Sequence, residues 1–261
     1  MRRINTDEYK QILLEILTDF DEFCTQNNIT YYAGYGTLLG TIRHKGFIPW
    51  DDDVDIIIPR KDYVRILNEF NKRESKYKVK SLENDLFYPY NFAKVYDTTT
   101  KLVEGLYHDY FMGAYIDIFP LDAWPKDIGV VKRIKRYQFW IKAKAYKISK
   151  IQGLKRNIVI ALCKVILLPF SLSGLLHKVE KLTASAESET GYCGNVASNV
   201  YGMKEKMKTQ WLENEMKVPF ENIQIKIPTM CDAILTQLYG DYMTPPPIEK
   251  QTTHHINEVY K

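Results

Sequence analysis

Residues 29–59 of this 261-residue chain have the sequence ITYYAGYGTLLGTIRHKGFIPWDDDVDIIIP, and the order of elements that they predict indicates the fold class. Residues 29–33 are rich in β-forming side chains and predict a strand. The glycine turn at residues 34–37 leads into a predicted short helix at residues 38–44. After a loop interrupted by glycine and proline, residues 51–58 predict a second strand, with carboxylates at its start and isoleucines at its end. This order is typical of an α/β protein.

Three aspartates occupy alternate positions at the start of the second strand. Side chains of an extended strand alternate between its faces, so Asp51, Asp53 and Asp55 are predicted to share one face, with neighbouring Cα atoms about 6.5–7 Å apart. Such carboxylates repel one another and need a cation. Oxygen ligands without a nearby His or Cys favour Mg²⁺ or Mn²⁺. The alternative is a solvated acidic turn, which the isoleucines directly after the aspartates argue against.

The glycine turn precedes a helix and predicts an anion-binding site. A strand, a tight turn and a helix N-terminus present backbone N–H groups to a phosphate. Gly36 and the hydroxyl of Thr37 are therefore candidate phosphate contacts. A turn of this composition is often only structural, but its position before the carboxylate strand favours the phosphate-binding interpretation.

Residues 34–55 together resemble the LicD family, which includes the fukutin-related transferases and has a nucleotidyltransferase fold. Other parts of the chain resemble the same family. They are FAKV at residues 92–95, IDIFPLD at residues 116–122, YGDYM at residues 239–243, the two prolines at residues 245–246 and the two histidines at residues 254–255.

The resemblance implies a nucleotidyltransferase-like core with a mixed α/β sheet. It also implies transfer of a phospho-alcohol, phosphocholine in the bacterial enzymes, from a CDP-linked donor such as CDP-choline to a sugar hydroxyl, with release of CMP. The implied acceptor is a cell-surface glycan or a teichoic acid precursor, carried on a lipid.

Within that resemblance, Asp53 and Asp55 are assigned to the metal, and Asp51 is either an additional ligand or an anchor behind them. Asp117 lies in an apolar strand predicted at residues 114–119, where an unpaired carboxylate would be costly. Because the third carboxylate of this fold comes from a neighbouring strand, Asp117 is predicted to be the general base or the third ligand. Two alternatives stay open: Asp117 bonds a loop N–H at the strand end, or Asp122 takes its place.

Further residues are candidate contacts to the substrate. The cationic ones are predicted to meet phosphate oxygens, although a charged residue beside a glycine turn is explained equally well by solvation. Trp50 and some of the 19 tyrosines are predicted to enclose a quaternary ammonium by cation–π attraction, with core packing as the alternative. The candidates are Arg43, Lys45, Lys94, Trp50 and His254.

Composition and local patterns predict the organisation of the chain. Residues 1–125 are predicted to form the catalytic core, with a first helix from Asn5 or Thr6 to residue 27 or 28. Later segments of β type lie at residues 77–81, 91–96, 102–103 and 223–227. Residues 126–261 are predicted to be mainly helical. The four cysteines lack metal-ligand spacing and are predicted to be reduced thiols.

The charge distribution bears on partners and compartment. Lys and Arg number 36 against 32 Asp and Glu, and a net charge of +4 is too small to indicate nucleic acid. No apolar run of signal-peptide type follows the first residues, so the cytoplasm is the expected compartment. Residues 126–156 contain eleven Lys or Arg and one acid, and residues 157–176 are apolar. Two interpretations stay open for residues 126–176: a peripheral membrane contact, or helices packed on the core with a basic outer face.

Two other classes of function compete with the phospho-alcohol transferase. An NTP-dependent nucleotidyltransferase would use the same carboxylates and glycine turn, and a binding module would keep the fold without the chemistry. Within the transferase class, CDP-ribitol and CDP-glycerol are alternative donors. The pattern leaves open the alcohol, the acceptor sugar, the oligomeric state and whether one or two metal ions bind.

Overall fold

The computed structural model describes residues 1–104, 112–148, 153–252 and 257–261, which form a mixed α/β fold. The α-helices are α1 (Thr6–Gln26), α2 (Tyr35–His44), α3 (Arg60–Glu69), α4 (Ile128–Ala145), α5 (Leu154–Ile166), α6 (Leu172–Ser185) and α7 (Cys231–Tyr239). The strands are β1 (Tyr32–Ala33), β2 (Asp55–Pro59), β3 (Tyr77–Lys80), β4 (Ala93–Asp97), β5 (Lys101–Glu104), β6 (Tyr115–Pro125), β7 (Ser188–Gly194), β8 (Met207–Lys208), β9 (Glu215–Phe220), β10 (Ile223–Pro228) and β11 (Asn257–Tyr260).

The main sheet is mixed and is organised around β6. Its strand order is β1-β2-β6-β4-β3, and β7 pairs with β6 and with β8. β2 and β6 are parallel, whereas the other pairs of this sheet are antiparallel. β9 pairs with β10, and β5 pairs with β11. Because β6 pairs with β2 and β4 at one end and with β7 at the other, it joins the two halves of the chain.

The first helix illustrates how local sequence determines the packing. The Asn5 side chain accepts from the backbone N–H of Glu8 at 2.8 Å, and the Glu8 carboxylate accepts from the backbone N–H of Asn5 at 3.0 Å. This capping box fixes where α1 starts. Leu13, Ile16 and Phe20 are fully buried on one face of the helix. The predicted first helix is confirmed.

The structure corrects the element boundaries around the aspartates. The predicted strand at residues 51–58 begins only at Asp55. Before it, the backbone N–H of Asp51 donates to the carbonyl of Ile48 at 2.9 Å and closes a turn. The predicted helix at residues 38–44 begins earlier, at Tyr35, and the predicted strand at residues 29–33 is reduced to β1. Boundaries moved because side-chain pattern does not show where backbone pairing starts.

The second half of the chain contains α4–α7 together with strands, of which only β10 was predicted. β7 has the sequence SETGYCG, which lacks an alternation of apolar and polar residues and therefore gave no strand signal. The four cysteines are free and buried. The division of the chain at residue 125 stays a prediction.

Candidate active site

Two aspartates face each other on the parallel strands of the sheet. Asp55 on β2 is in register with Asp117 on β6, and the backbone N–H of Asp117 donates to the carbonyl of Val54 at 2.8 Å. Neighbouring strands lie about 4.8 Å apart, so residues in register project from the same side at close range. The structure therefore brings together the two carboxylates that the sequence predicted to lie on neighbouring strands.

Asp51 and Asp53 add to this pair from the loop before β2. Burial raises the pKa of Asp55 well above its usual range, and the carboxylates of Asp53, Asp117 and Asp51 raise it further. An atom at the Cβ position of Gly36 would lie 2.8 Å from Oδ2 of Asp51, so this carboxylate rests against the glycine turn. Four carboxylates thus act on one small volume, which we call the carboxylate cluster.

Asp52 points elsewhere. It lines a separate cavity of about 440 Å³ with Asn5, Tyr9 and other residues near the N-terminus. Asp51, Asp53 and Asp55 therefore act on one volume and Asp52 lies apart from them, although the strand begins later than predicted.

The glycine turn is part of the first turn of α2. Gly34 precedes the helix, and its backbone N–H donates to the carbonyl of Asp55 at 2.8 Å. The hydroxyl of Thr37 accepts from the backbone N–H of Asp55 at 2.8 Å. Both bonds tie the start of α2 to the start of β2, and Gly36 lets Asp51 approach the helix. Thr37 is buried in this contact, and its predicted role in binding phosphate stays a prediction.

Lys94 supplies the positive charge inside the cluster. It lies opposite Asp117 on β4, and its Nζ donates to Oδ1 of Asp117 at 2.6 Å. The side chain is 2% exposed, and its Nζ is 3.4 Å from the ring centroid of Tyr115 and 4.7 Å from that of Tyr90. A lysine ammonium surrounded by rings and one carboxylate has little freedom to move, so Lys94 holds Asp117 in a fixed orientation.

Tyrosines form a wall beside the carboxylates, although the sequence did not show which of the 19 would meet there. Tyr35 stacks on Tyr201 with ring centroids 5.6 Å apart, and Tyr201 meets Tyr239 edge to face at 5.6 Å. Burial raises the pKa of Tyr201 and of Tyr239, and the charge of Asp55 adds to both effects. Tyr239 begins the YGDYM segment of the family resemblance, so its position in the sequence did carry a signal.

The buried carboxylate of Glu205 binds two members of this wall. Its carboxylate accepts from the Tyr35 hydroxyl at 2.8 Å and from the backbone N–H of Tyr201 at 2.7 Å. Asn195 donates through Nδ2 to the Tyr35 hydroxyl at 3.1 Å. Glu205 is 1% exposed, and burial raises its pKa to about 7 although these hydrogen bonds oppose the rise. No motif marked this residue in the sequence.

The structure also locates the other candidate contacts. Arg43 donates to the carbonyl of Tyr242 at 2.7 Å, and burial lowers its pKa. Lys45 is exposed and ends α2 in a left-handed conformation. Trp50 is half-buried, with its ring 6.3 Å from that of His44. His254 lies outside the described residues. These contacts to substrate stay predictions.

Asp122, the alternative to Asp117, is engaged elsewhere. Nε and Nη2 of Arg60 donate to its two carboxylate oxygens, each at 2.7 Å. It lies five positions beyond Asp117 on β6, which is about 16 Å along an extended strand. The structure therefore brings Asp117, and not Asp122, to the carboxylate cluster.

This chain is similar to known proteins both in its N-terminal half and over its full length. A model of the LicD/FKTN/FKRP nucleotidyltransferase domain matches residues 28–155, a range that includes the carboxylate cluster and Lys94. The lipopolysaccharide cholinephosphotransferase LicD of Haemophilus influenzae is 32% identical over 270 aligned positions, which cover 100% of this chain and 99% of the relative. The chain belongs to the LicD family.

Shorter matches extend the comparison to proteins without a described activity. An uncharacterised protein of Rickettsia typhi is 41% identical over 76 residues, which are 28% of this chain and 25% of its own length. An uncharacterised protein of Rickettsia prowazekii is 46% identical over 54 residues, which are 21% of this chain and 20% of its own.

Proposed function

We propose that this protein transfers phosphocholine from CDP-choline to a sugar hydroxyl of a glycan and releases CMP. The observation that carries the proposal is the carboxylate pair of Asp55 and Asp117 in register on parallel strands, beside the glycine turn of α2. The end-to-end similarity to a cholinephosphotransferase supports phosphocholine as the transferred group.

The chemistry assigned to these residues is an in-line substitution at phosphorus. The hydroxyl oxygen of the acceptor attacks the phosphorus that bears choline, and the bond from that phosphorus to the CMP oxygen breaks, so CMP leaves. Asp117 accepts the hydroxyl proton as general base. Lys94 positions this carboxylate and keeps its Oδ1 engaged.

The negative charge of the carboxylate cluster is the reason for proposing a divalent ion. Among the described residues, no group of three or more His, Cys, Asp or Glu side chains is arranged to hold a metal by itself. Mg²⁺ and Mn²⁺ are commonly held by one or two carboxylates together with water and substrate phosphates, so two aspartates of the cluster suffice as protein ligands. Asp53 and Asp55 are the proposed ligands, with Asp51 beside them. The ion would neutralise charge on the donor phosphates.

The tyrosine wall suits the choline end of the donor. A quaternary ammonium is attracted to the faces of aromatic rings. Tyr35, Tyr201 and Tyr239 supply three contiguous rings near Asp55. We assign the ammonium to this wall in preference to Trp50, which contacts His44 instead. Gly36, Thr37, Arg43, Lys45 and His254 remain candidate contacts to the donor phosphates.

Release of CMP from defined donors tests the proposal. Purified protein is incubated with Mg²⁺, a lipid-linked glycan extract and CDP-choline, CDP-ribitol or CDP-glycerol in turn. We expect CMP from CDP-choline, loss of release on chelation of the metal, and a decrease of roughly 100-fold or more for Asp53→Asn. Asp52→Asn is the matched control, because its side chain lines a different cavity.

Each outcome has a defined meaning. CMP release from CDP-ribitol or CDP-glycerol alone would contradict phosphocholine transfer and keep the reaction class. Equal loss in Asp52→Asn and Asp53→Asn would contradict the assignment of Asp53. Absence of CMP from every donor, together with consumption of an NTP supplied in a parallel incubation, would replace the proposal by nucleotidyl transfer.

A further inference from the structure

Helix α5 has two apolar sides, and within the described part of the chain only one of them packs on the protein. Its buried residues are Ile160 and Cys163. The opposite side carries apolar residues at spacings of four, four and three, which places them in one row along the helix. We call this row the α5 stripe; its members are Leu154, Ile158, Leu162 and Val165.

The α5 stripe is strongly exposed to solvent. Leu154 is 78% exposed, Leu162 is 60% exposed and Val165 is 64% exposed. The exposed apolar surface continues past the end of the helix through Leu168 and Phe170. Contiguous apolar surface of this kind on a folded protein marks an interaction site.

Basic side chains are exposed on α5 itself and on the helix that contacts it. Lys155 and Arg156 are exposed in the first turn of α5. Helix α4 packs against α5 and adds more exposed cations. Residues 126–156 contain a single acid, Asp127. Its Oδ2 lies 4.0 Å from Nη2 of Arg133, so one of these cations is already paired. The exposed cations of α4 are Lys132, Arg133, Lys135, Arg136 and Lys142.

The combination of an apolar stripe and a dense positive charge selects a lipid surface over a protein partner. Interfaces between proteins are depleted in lysine, whereas helices with an apolar face and Lys or Arg beside it bind anionic bilayers. No helix in the described ranges is long and apolar enough to cross a membrane. The 13 residues of α5 span about 20 Å, against about 30 Å for the apolar layer of a bilayer, so α5 would lie in the plane of the interface.

We propose that α5 docks this protein on an anionic phospholipid bilayer, with the α5 stripe among the acyl chains and the cations of α4 and α5 on the headgroups. Docking on a bilayer extends the proposed function and rests on it in one respect: it would bring the enzyme to the surface that carries a lipid-linked acceptor. The docking itself does not depend on which donor the active site uses.

Vesicle co-sedimentation without donor or acceptor tests the proposal. Wild-type protein is mixed with vesicles of phosphatidylcholine alone and of phosphatidylcholine with phosphatidylglycerol. We expect binding to the anionic vesicles, weakening with salt, and at least a tenfold weaker affinity for the double variant Ile158→Gln, Leu162→Gln. The matched control is Leu86→Gln, Phe87→Gln, which removes two exposed apolar side chains outside α5.

The results separate docking from catalysis. Absence of wild-type binding to anionic vesicles, or equal binding by the two double variants, would overturn the proposal. A wild-type dimer in light scattering that only the Ile158, Leu162 variant abolishes, with no vesicle binding, would also overturn it and assign the stripe to a second copy of the chain. Vesicle binding without CMP release would support docking and reject only the proposed reaction.

Discussion

Replacing Glu205 by glutamine should change how the stability of this protein depends on pH. Burial raises the pKa of the Glu205 carboxyl from its usual 4.5 to about 7 in the folded protein. A folded state with a raised acid pKa binds the proton more tightly than the unfolded chain does. Glu205 therefore contributes full stability below pH 4.5, and this contribution is lost as the pH rises through 7.

The magnitude follows from the difference between the two pKa values. A difference of about 2.5 corresponds to about 3 kcal/mol of unfolding free energy, most of which is lost between pH 4.5 and pH 7. Glutamine resembles the protonated acid in shape and cannot ionise. We therefore expect Glu205→Gln to match the wild type below about pH 4 and to exceed its unfolding free energy by about 3 kcal/mol at pH 8.

Urea unfolding followed by tryptophan fluorescence at several pH values measures this difference. Glu213→Gln is the control, because Glu213 is exposed to solvent. A constant offset between Glu205→Gln and the wild type across the whole pH range would contradict this prediction, since it would show that Glu205 does not titrate with a raised pKa. Loss of stability at pH 8 in the variant would show that its hydrogen bonds to Tyr35 and Tyr201 matter more than its charge.

Two further substitutions test the cluster. Gly36→Ala should keep the fold but lower the rate of CMP release by roughly tenfold or more, since the new Cβ would lie 2.8 Å from Oδ2 of Asp51 and displace that carboxylate. Gly174→Ala, which makes an equally close contact at the start of α6, should leave the rate unchanged; equal loss in both variants would contradict the argument. Lys94→Met should reduce the unfolding free energy by about 3 kcal/mol, because it removes the ammonium group that donates to the Asp117 carboxylate. Urea titration measures this loss, and a value below about 1 kcal/mol would contradict the prediction.

The sequence predicted the part of the site that is contiguous in the chain. The glycine turn, the alternation of Asp51, Asp53 and Asp55 and the choice of Asp117 all follow from local patterns and from the family resemblance, and the structure brings these residues together. The start of β2 was misplaced because carboxylate alternation in a loop looks the same as alternation in a strand. The choice between Asp117 and Asp122 was settled by the structure, since only Asp117 lies opposite Asp55 and Asp122 is bound by Arg60.

The residues that the sequence did not reveal depend on contacts between distant segments. Tyr201 acts through its stacking on Tyr35, and Glu205 through burial, and neither property is visible in a window of sequence. The exposure of the α5 stripe is likewise a property of the folded protein that a window of sequence does not show. The apolar segment at residues 157–176 was compatible with a buried helix until the structure showed which side of α5 packs.

The parallel pairing of β2 with β6 has a consequence for how activity is acquired. Asp55 and Asp117 meet only when two strands that are far apart in the chain have closed a long loop, and such pairings form slowly compared with helices and hairpins. The proposed catalytic groups therefore do not exist as a unit in any locally folded fragment. Enzymatic turnover should reappear on refolding together with the last kinetic phase, so that turnover reports completion of the whole sheet rather than the presence of secondary structure.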